Sequence, residues 1–225
     1  MRYRRAMELT SRAAHLERLR GLYGMVDLPA AGGGPPAGRL ARALLDGGAR
    51  VLQLRMKGAS AASMLAVVDE LRPLCRRREA TLIVNDRLDV ALAGGADGAH
   101  LGQDDLPLAA ARALAPAPFL LGVSTHSPAQ ARAALDAGAD YLGFGPCFAT
   151  ATKENPDPVV GLAQLTEVCR LPIPIVAIGG ITVERCAEVA RAGAAAAAII
   201  AAVNRAPDVI TAARAVCAAF VERGD

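Results

Sequence analysis

The stretch Phe119-Leu120-Leu121-Gly122-Val123-Ser124-Thr125-His126-Ser127-Pro128-Ala129-Gln130-Ala131-Arg132-Ala133-Ala134-Leu135-Asp136-Ala137-Gly138-Ala139-Asp140-Tyr141-Leu142-Gly143-Phe144 holds one complete strand–helix–strand unit. Phe119–Val123 is a short apolar run of the length of a buried strand. Ser127 is an N-cap for an Ala/Leu/Arg-rich helix over 128–137. Gly138 tolerates the left-handed conformation that ends a helix, and Tyr141–Phe144 is the next strand.

The unit recurs along the chain. Strands are expected at Gly21–Val26, Arg50–Leu54, Thr81–Val84, Gly98–His100, Phe119–Val123, Tyr141–Phe144, Ile173–Ile178 and Ala196–Ile200. Helices are expected near 38–47, 60–77, 87–94, 107–114, 128–137, 161–170, 182–192 and 207–222, with Ser60, Ser127 and Thr182 as N-caps. Gly47-Gly48, Gly94-Gly95, Gly138 and Gly193 fall at helix ends. Eight β/α pairs in about 200 residues predict a single (β/α)8 TIM barrel, an α/β fold. A doubly wound sheet is the runner-up, because alternation alone does not separate the two. No G-x-G-x-x-G follows the first strand, which argues against it. The expected organisation is an N-terminal helical extension, 1–20, with a helix over about 5–20, then the barrel over 21–225. The Gly/Pro-rich stretch Ala31–Gly38 reads as a loop over the barrel top.

Composition narrows the partners. The 225 residues are 53% hydrophobic, enough for a sizeable core. Aromatics are 3% and Trp is absent, which disfavours base stacking and hence nucleic acid. The net charge of +3 is concentrated in the first twenty residues, with Arg2, Arg4, Arg5, Arg12, Arg18 and Arg20, and the rest is near neutral. No apolar run is long enough to span a membrane. The first residues lack the apolar core of a signal peptide, and Glu8 and Glu17 argue against a transit peptide, so a cytoplasmic location is expected. Cys75, Cys147, Cys169, Cys186 and Cys217 show no C-x-x-C spacing and read as reduced core thiols. A homodimer is left open.

In a barrel the chemistry gathers in the loops after the strands. Lysine is rare here: of 25 basic residues only Lys57 and Lys153 are lysine, leaving 23 arginines. Both stand in polar clusters just after strand-like runs, where a compact ammonium suits a phosphate oxygen. After the second strand, Gln53, Arg55 and Lys57 alternate, which sends all three toward the barrel interior. An interior salt-bridge layer is one reading; two cations with no acid between them instead call for an external anion. Asn85-Asp86-Arg87 follows the third strand, and His100-Leu101-Gly102-Gln103-Asp104-Asp105 the fourth. Asp86 and Asp105 suit Mg²⁺ completed by substrate phosphates, with helix capping or an acid/base pair as alternatives. His100 reads as packed and hydrogen-bonded inside the barrel, and His15 as a surface residue.

Gly122–Ser127 offers hydroxyls and backbone N–H groups, Ser124 among them, at a helix start. The long loop Gly143–Lys153 carries Thr150, Ala151, Thr152 and Lys153, and Gly179-Gly180 lets bare backbone approach a ligand. Two anionic groups are expected in the site. One lies near Arg55, Lys57, Lys153 and a metal, the other near Thr150, Thr152 and Gly179-Gly180. No Ser/His/Asp or Cys/His nucleophile arrangement stands out. Chemistry with diphosphate as leaving group fits better.

Read together, Leu22–Asp27, Gln53-Leu54-Arg55-Met56-Lys57, Ile83–Arg87, Gly98–Asp105, Gly122–Ser127, Gly143–Lys153 and Ala177–Ile181 resemble the thiamine-phosphate synthase (thiamine-phosphate pyrophosphorylase) family over about 21–205. The resemblance implies a (β/α)8 transferase. It would join 4-amino-2-methyl-5-(diphosphooxymethyl)pyrimidine to a methylthiazole carrying a phosphoethyl group, or its carboxylated form, giving thiamine phosphate and diphosphate. The resemblance implies that Gln53, Leu54, Arg55, Met56, Lys57, Asn85, Ser124 and Lys153 hold the pyrimidine diphosphate. Arg55, Lys57, Ser124 and Lys153 would carry the catalysis, and Asp86 and Asp105 would bind Mg²⁺. Thr150, Ala151, Thr152, Gly180, Ile200 and Ala201 would hold the thiazole phosphate. The implied path is dissociative: diphosphate leaves, a pyrimidine-methyl cation forms, and the thiazole nitrogen captures it.

The chain departs from the family around strand eight, where the family's Gly-Ala-Asp-Gly is Gly193-Ala194-Ala195-Ala196 and its following Ser is Ala201. Loss of the Ser hydroxyl costs about 1 kcal/mol or somewhat more of thiazole-phosphate binding. The nearest alternative is the related thiazole tautomerase, which resembles the chain in the sixth and seventh loops but has His where this chain has Pro146. A non-catalytic thiamine-precursor-binding paralogue and a phosphosugar isomerase are the others.

Overall fold

The computed structural model describes residues 12–30, 34–150 and 158–221. Within them eight parallel strands close into a barrel in chain order: β1 (Gly21–Asp27), β2 (Val51–Arg55), β3 (Thr81–Asn85), β4 (Gly98–Leu101), β5 (Leu120–Thr125), β6 (Tyr141–Phe144), β7 (Ile175–Ile178) and β8 (Ala196–Ile199). Closure is made by β1 pairing with β8, Gly21 opposite Ala196 and Gly24 opposite Ile199. The barrel decides between the two architectures read from the alternation. The helices are α1 (12–17), α2 (Ala37–Asp46), α3 (Ala61–Arg77), α4 (Leu88–Ala93), α5 (Leu108–Leu114), α6 (Pro128–Asp136), α7 (Gly161–Val168), α8 (Cys186–Arg191), α9 (Ala201–Asn204) and α10 (Val209–Val221).

Short, mostly apolar strands form here because both faces are covered. Residues such as Leu52, Leu54, Val84, Leu121 and Leu142 face the helices in one continuous core. Alternate residues face the barrel axis: Tyr23, Met25, Val51, Ile83, Leu120, Tyr141, Val176, Ala196 and Ala198. The period-two alternation thus carries Asp27, Gln53, Arg55, Asn85, His100 and Ser124 along the same interior columns, toward the C-terminal mouth.

The capping expectations hold at α3 and α6. Ser60 accepts from Ser63 N–H at 3.1 Å, and Ser127 from Gln130 N–H at 3.2 Å. Gly138, at φ 89°, ends the α6 unit as expected. Thr182 does not cap a helix. A turn over 183–185 intervenes and α8 starts at Cys186. Gly38 is not loop either, since α2 already begins at Ala37. Its missing side chain leaves room for Glu70, whose Oε1 would lie 2.2 Å from a Cβ.

Of the expected N-terminal helix, residues 12–17 are helical, and 1–11 lie outside the described residues. Leu16 and Leu19 fill the N-terminal end of the barrel. His15 is not a surface residue. Its Nδ1 is 2.8 Å from Thr81 Oγ1, and its side chain is only 16% exposed. Arg12 and Arg112 both pair with the buried carboxylate of Asp140, which also accepts from Leu121 N–H at 2.6 Å. This end is therefore sealed by packing and ion pairs, leaving the opposite end to bind. No helix among the described residues is long and apolar enough to cross a membrane.

Candidate active site

At the C-terminal mouth, β1 and β2 end side by side with Asp27 opposite Arg55. Arg55 Nη1 donates to Asp27 Oδ1 at 2.6 Å, with both side chains about one-fifth exposed (22% and 21%). This corrects one premise of the sequence reading. No acid stands between Arg55 and Lys57 in the chain, but the neighbouring strand supplies one, so Arg55 is already paired. Strand register, 28 residues away, is what brings Asp27 there.

Lys57 lies in the turn after β2, past the alternating part of the strand, and is exposed. It lines an open cleft of about 330 Å³ with Met56, Gly58, Ala59, Met64, Asn85, Asp86 and Arg87. Asn85 ends β3 and Asp86 follows it at φ 62°, a left-handed conformation that Asp adopts more readily than most residues. Asp86 N–H donates to His100 O at 2.8 Å, tying the β3 end to β4. Asp105 folds back so that its Oδ2 accepts from Gly102 N–H at 2.6 Å.

Asp86 and Asp105 meet from neighbouring strand ends. Burial raises the Asp86 pKa to about 6, the nearby Asp105 carboxylate adds to the rise, and Lys57 and Arg55 oppose it. Two carboxylates held this close are a pair that a hard divalent cation would relieve. Among the described residues no group of three or more His, Cys, Asp or Glu is arranged around a metal. Two protein carboxylates fit a cation that takes its remaining oxygens from water or substrate phosphates.

Inside the barrel below this rim runs a hydrogen-bonded chain. Gln53 Nε2 donates to Tyr23 Oη at 2.9 Å, Tyr23 Oη meets Tyr141 Oη at 2.8 Å, and Tyr141 Oη meets His100 Nδ1 at 3.1 Å. His100 Nε2 then meets Ser124 Oγ at 2.9 Å. Burial lowers the His100 pKa to about 4, with Asp105 pulling weakly the other way. Burial also raises both tyrosines. Inward packing of His100 agrees with the sequence; the two tyrosine hydroxyls and Asp27 were not anticipated there. A residue that ends an interior column beside a basic one was the available signal.

The β6 and β7 ends run together on the other side of the mouth. Cys147 N–H donates to Ile178 O at 2.8 Å and Phe148 N–H to Gly179 O at 3.0 Å. Gly180, at φ 62°, passes so close that a Cβ would sit 2.3 Å from Ala149 O. Arg185 stacks 4.4 Å over the Phe148 ring and donates to Gly180 O at 2.9 Å, joining the two loops. Thr150 ends the described part of the β6 loop; Ala151, Thr152 and Lys153 lie outside the described residues. Ile200 packs against the interior cluster and Ala201 starts α9, both at the β8 end of the mouth. Leu54, expected in the site, does not turn its side chain toward it: it is fully buried on the helix side of β2. Interior and exterior alternate, so the neighbours Gln53 and Arg55 exclude it. Met56, after the strand, does line the cleft.

A family model described as thiamine monophosphate synthase matches residues 33–203. A thiamine-phosphate synthase of Anaeromyxobacter dehalogenans is 49% identical over 214 residues, covering 95% of this chain and 93% of its own. One of Methanospirillum hungatei is 49% identical over 177 residues, 78% and 86% of the two chains. The solved thiamine phosphate pyrophosphorylase of Pyrococcus furiosus superposes with a TM-score of 0.84 at 36% identity, covering 93% of this chain and 100% of its own. With a closed barrel, a paired-carboxylate rim and these relatives, the chain belongs to the thiamine monophosphate synthase family.

Proposed function

We propose that the protein is a transferase that joins 4-amino-2-methyl-5-(diphosphooxymethyl)pyrimidine to 4-methyl-5-(2-phosphoethyl)thiazole, or its carboxylated form, releasing thiamine phosphate and diphosphate. The observation that carries the proposal is the mouth itself. Lys57, Asn85 and Asp86 line one cleft, with Asp105 against Asp86. The relatives named above as thiamine-phosphate synthase and thiamine phosphate pyrophosphorylase cover nearly the whole chain and support it.

In this reading Arg55, Lys57, Asn85, Ser124 and Lys153 hold the diphosphate end, and Gln53 with Met56 borders the pyrimidine. Thr150, Ala151, Thr152, Gly180, Ile200 and Ala201 hold the thiazole phosphate, on a catalytic domain spanning 21–225. Asp86 and Asp105 would hold Mg²⁺. Bound there, Mg²⁺ would neutralise charge on the diphosphate oxygens. The chain's own part is to line up cations and hydroxyl donors where negative charge grows as the C–O bond breaks. It also holds the thiazole nitrogen on the open face of the pyrimidine-methyl group, a positioning task rather than base catalysis. Leu54 has no side-chain role, being turned to the helices. The location is proposed to be cytoplasmic.

A coupled diphosphate-release assay with both substrates and Mg²⁺ tests the reading. Release should require the thiazole phosphate and Mg²⁺. It should fall sharply in Lys57→Ala and Asp86→Ala and stay unchanged in Arg77→Ala, whose residue sits on the exposed end of α3. Thiazole-independent release, or wild-type turnover in Lys57→Ala, refutes it.

A further inference from the structure

We propose that Tyr141 and His100 are positioning residues that fix the direction of the Ser124 hydroxyl, so that Ser124 presents its proton, not its lone pairs, to the anion in the site. The inference rests on the function above only in taking that anion to be the departing diphosphate.

Protons can run in one of two directions along this chain of hydrogen bonds. Four hydrogen bonds join five residues from five strands: Gln53 to Tyr23, Tyr23 to Tyr141, Tyr141 to His100, and His100 to Ser124. The first four are buried, at 3%, 2%, 0% and 9% exposure, so water does not supply alternative partners. Each phenol has one proton to give. The two phenol oxygens stand 2.8 Å apart, so one and only one of them donates. Gln53 donates its amide N–H to Tyr23, so the buried Tyr23 proton is satisfied only by donating to Tyr141, the other partner of its oxygen, and the Tyr141 proton then goes on to His100 Nδ1. A neutral imidazole that accepts at Nδ1 carries its proton on Nε2. That proton points at Ser124 Oγ. The hydroxyl of Ser124, having accepted from inside the barrel, is left to donate outward, to the mouth.

The opposite direction would turn the Gln53 amide over, put the imidazole proton on Nδ1, and draw the Ser124 proton inward. Ser124 would then face an anion with lone pairs alone. The packing holds the links in place. An ideal Cβ on Gly122 would lie 2.1 Å from Tyr141 Cζ, and one on Gly143 would lie 3.1 Å from His100 Cε1, so the glycines on β5 and β6 make the room the two rings occupy. The rings stack at tilted angles with centroids 5.5 Å apart. Both phenols and the imidazole are buried, and burial disfavours their charged forms, so the chain is built from neutral groups.

A donor fixed in advance gains strength as charge develops on the leaving oxygen and needs no reorientation at that moment. A serine free to rotate would spend part of its time pointing inward. Tyr141 therefore acts on the reaction through His100 and Ser124 without touching the substrate.

Nitrogen-15 NMR of His100 in the ligand-free protein tests the tautomer directly, whatever the substrate. The expected result is a protonated Nε2 and a bare Nδ1 in the wild type, and a mixed tautomer in Tyr141→Phe. In turnover, Tyr141→Phe should lower kcat about 10- to 100-fold with the thiazole-phosphate KM nearly unchanged. In a Ser124→Ala background the same substitution should change kcat by less than about two-fold. An Nδ1–H tautomer in the wild type, or a Tyr141→Phe defect that persists in full without Ser124, overturns the proposal. An Nε2–H tautomer in a protein without synthase turnover would refute the assigned function and leave this hydrogen-bond direction standing.

Discussion

Arg55 meets the mouth of the barrel with its guanidinium already bonded to Asp27, Nη1 to Oδ1 at 2.6 Å. An anion that binds there either shares Arg55 with a carboxylate or displaces it. Asp27 thus plays two opposed parts: it holds the guanidinium in place, and it puts a negative charge beside the one that must bind. Asp27→Asn keeps an acceptor for Arg55 and removes the repulsion. At effective dielectric constants typical of partly exposed pairs the electrostatic part dominates, so inorganic diphosphate with Mg²⁺ should bind about three- to ten-fold tighter to the variant. Calorimetric titration reads this directly; equal or weaker binding would show that orientation by Asp27 matters more than its charge.

Asp86 predicts a conflict between stability and function. Its folded-state pKa of about 6 stands above the ordinary 3.8, chiefly because of burial. A raised carboxyl favours the protonated folded state. The contribution of Asp86 to stability is therefore greatest at low pH and is lost as pH rises through the window from about 4 to about 6. At pH 7.5 without metal the folded protein carries that penalty. Asp86→Asn, which tolerates the same left-handed backbone, should raise the Tm in EDTA at pH 7.5 and lose most of that advantage at pH 4.5. Turnover should be lost at every pH. A Tm equal to wild type in EDTA at pH 7.5 would mean the two carboxyls do not strain the fold.

Gly180 is where the β6 and β7 loops touch. Gly180→Ala would place a methyl 2.3 Å from Ala149 O and hold a side chain at φ 62°. The left-handed conformation alone costs about 1–2 kcal/mol, and the clash must be relieved by moving the Phe148–Thr150 segment. A Tm lower by about 5 °C, with a raised thiazole-phosphate KM, is expected from thermal melts and initial rates. An unchanged Tm and KM would show that the two loops can part freely.

The fold was legible because the strands announce themselves by apolar runs, and β2, β4, β6 and β8 also by a glycine at the end of the preceding helix. Each expected strand overlaps an observed one, and Tyr141–Phe144 coincides with β6. The alternation of Gln53 and Arg55 also read through, because period two is a property of any strand. What did not read through depends on neighbours in space. Asp27 looked like the end of an apolar run until register set it opposite Arg55. Tyr23 and Tyr141 counted as hydrophobic strand residues, and only closure of the barrel brings their hydroxyls together across 118 positions of sequence. Leu54 was carried along by the motif around it, although the same alternation that picked out Gln53 turns it to the helices. His15 was misjudged because a lone histidine in an Arg-rich helix gives no hint that Thr81 lies beneath it.

Ala201 stands at the first turn after β8, half-buried at the rim, where the family resemblance expects a serine hydroxyl. Its backbone N–H remains, but the side chain offers no donor. The phosphate on the thiazole is remote from the bond being made, so contacts to it are as strong in the ground state as in the transition state. Restoring the hydroxyl in Ala201→Ser should therefore lower the thiazole-phosphate KM without raising kcat. A hydrogen bond to a charged group adds about 1 kcal/mol or somewhat more, a KM about five-fold lower. The serine should leave stability nearly unchanged, because the position is partly exposed and Ser is tolerated near a helix start. Initial rates over a range of thiazole-phosphate concentrations decide the matter. Equal KM values for the two proteins would mean that the backbone already satisfies the phosphate; a change in kcat would place Ala201 nearer the reacting atoms than the rim of the barrel.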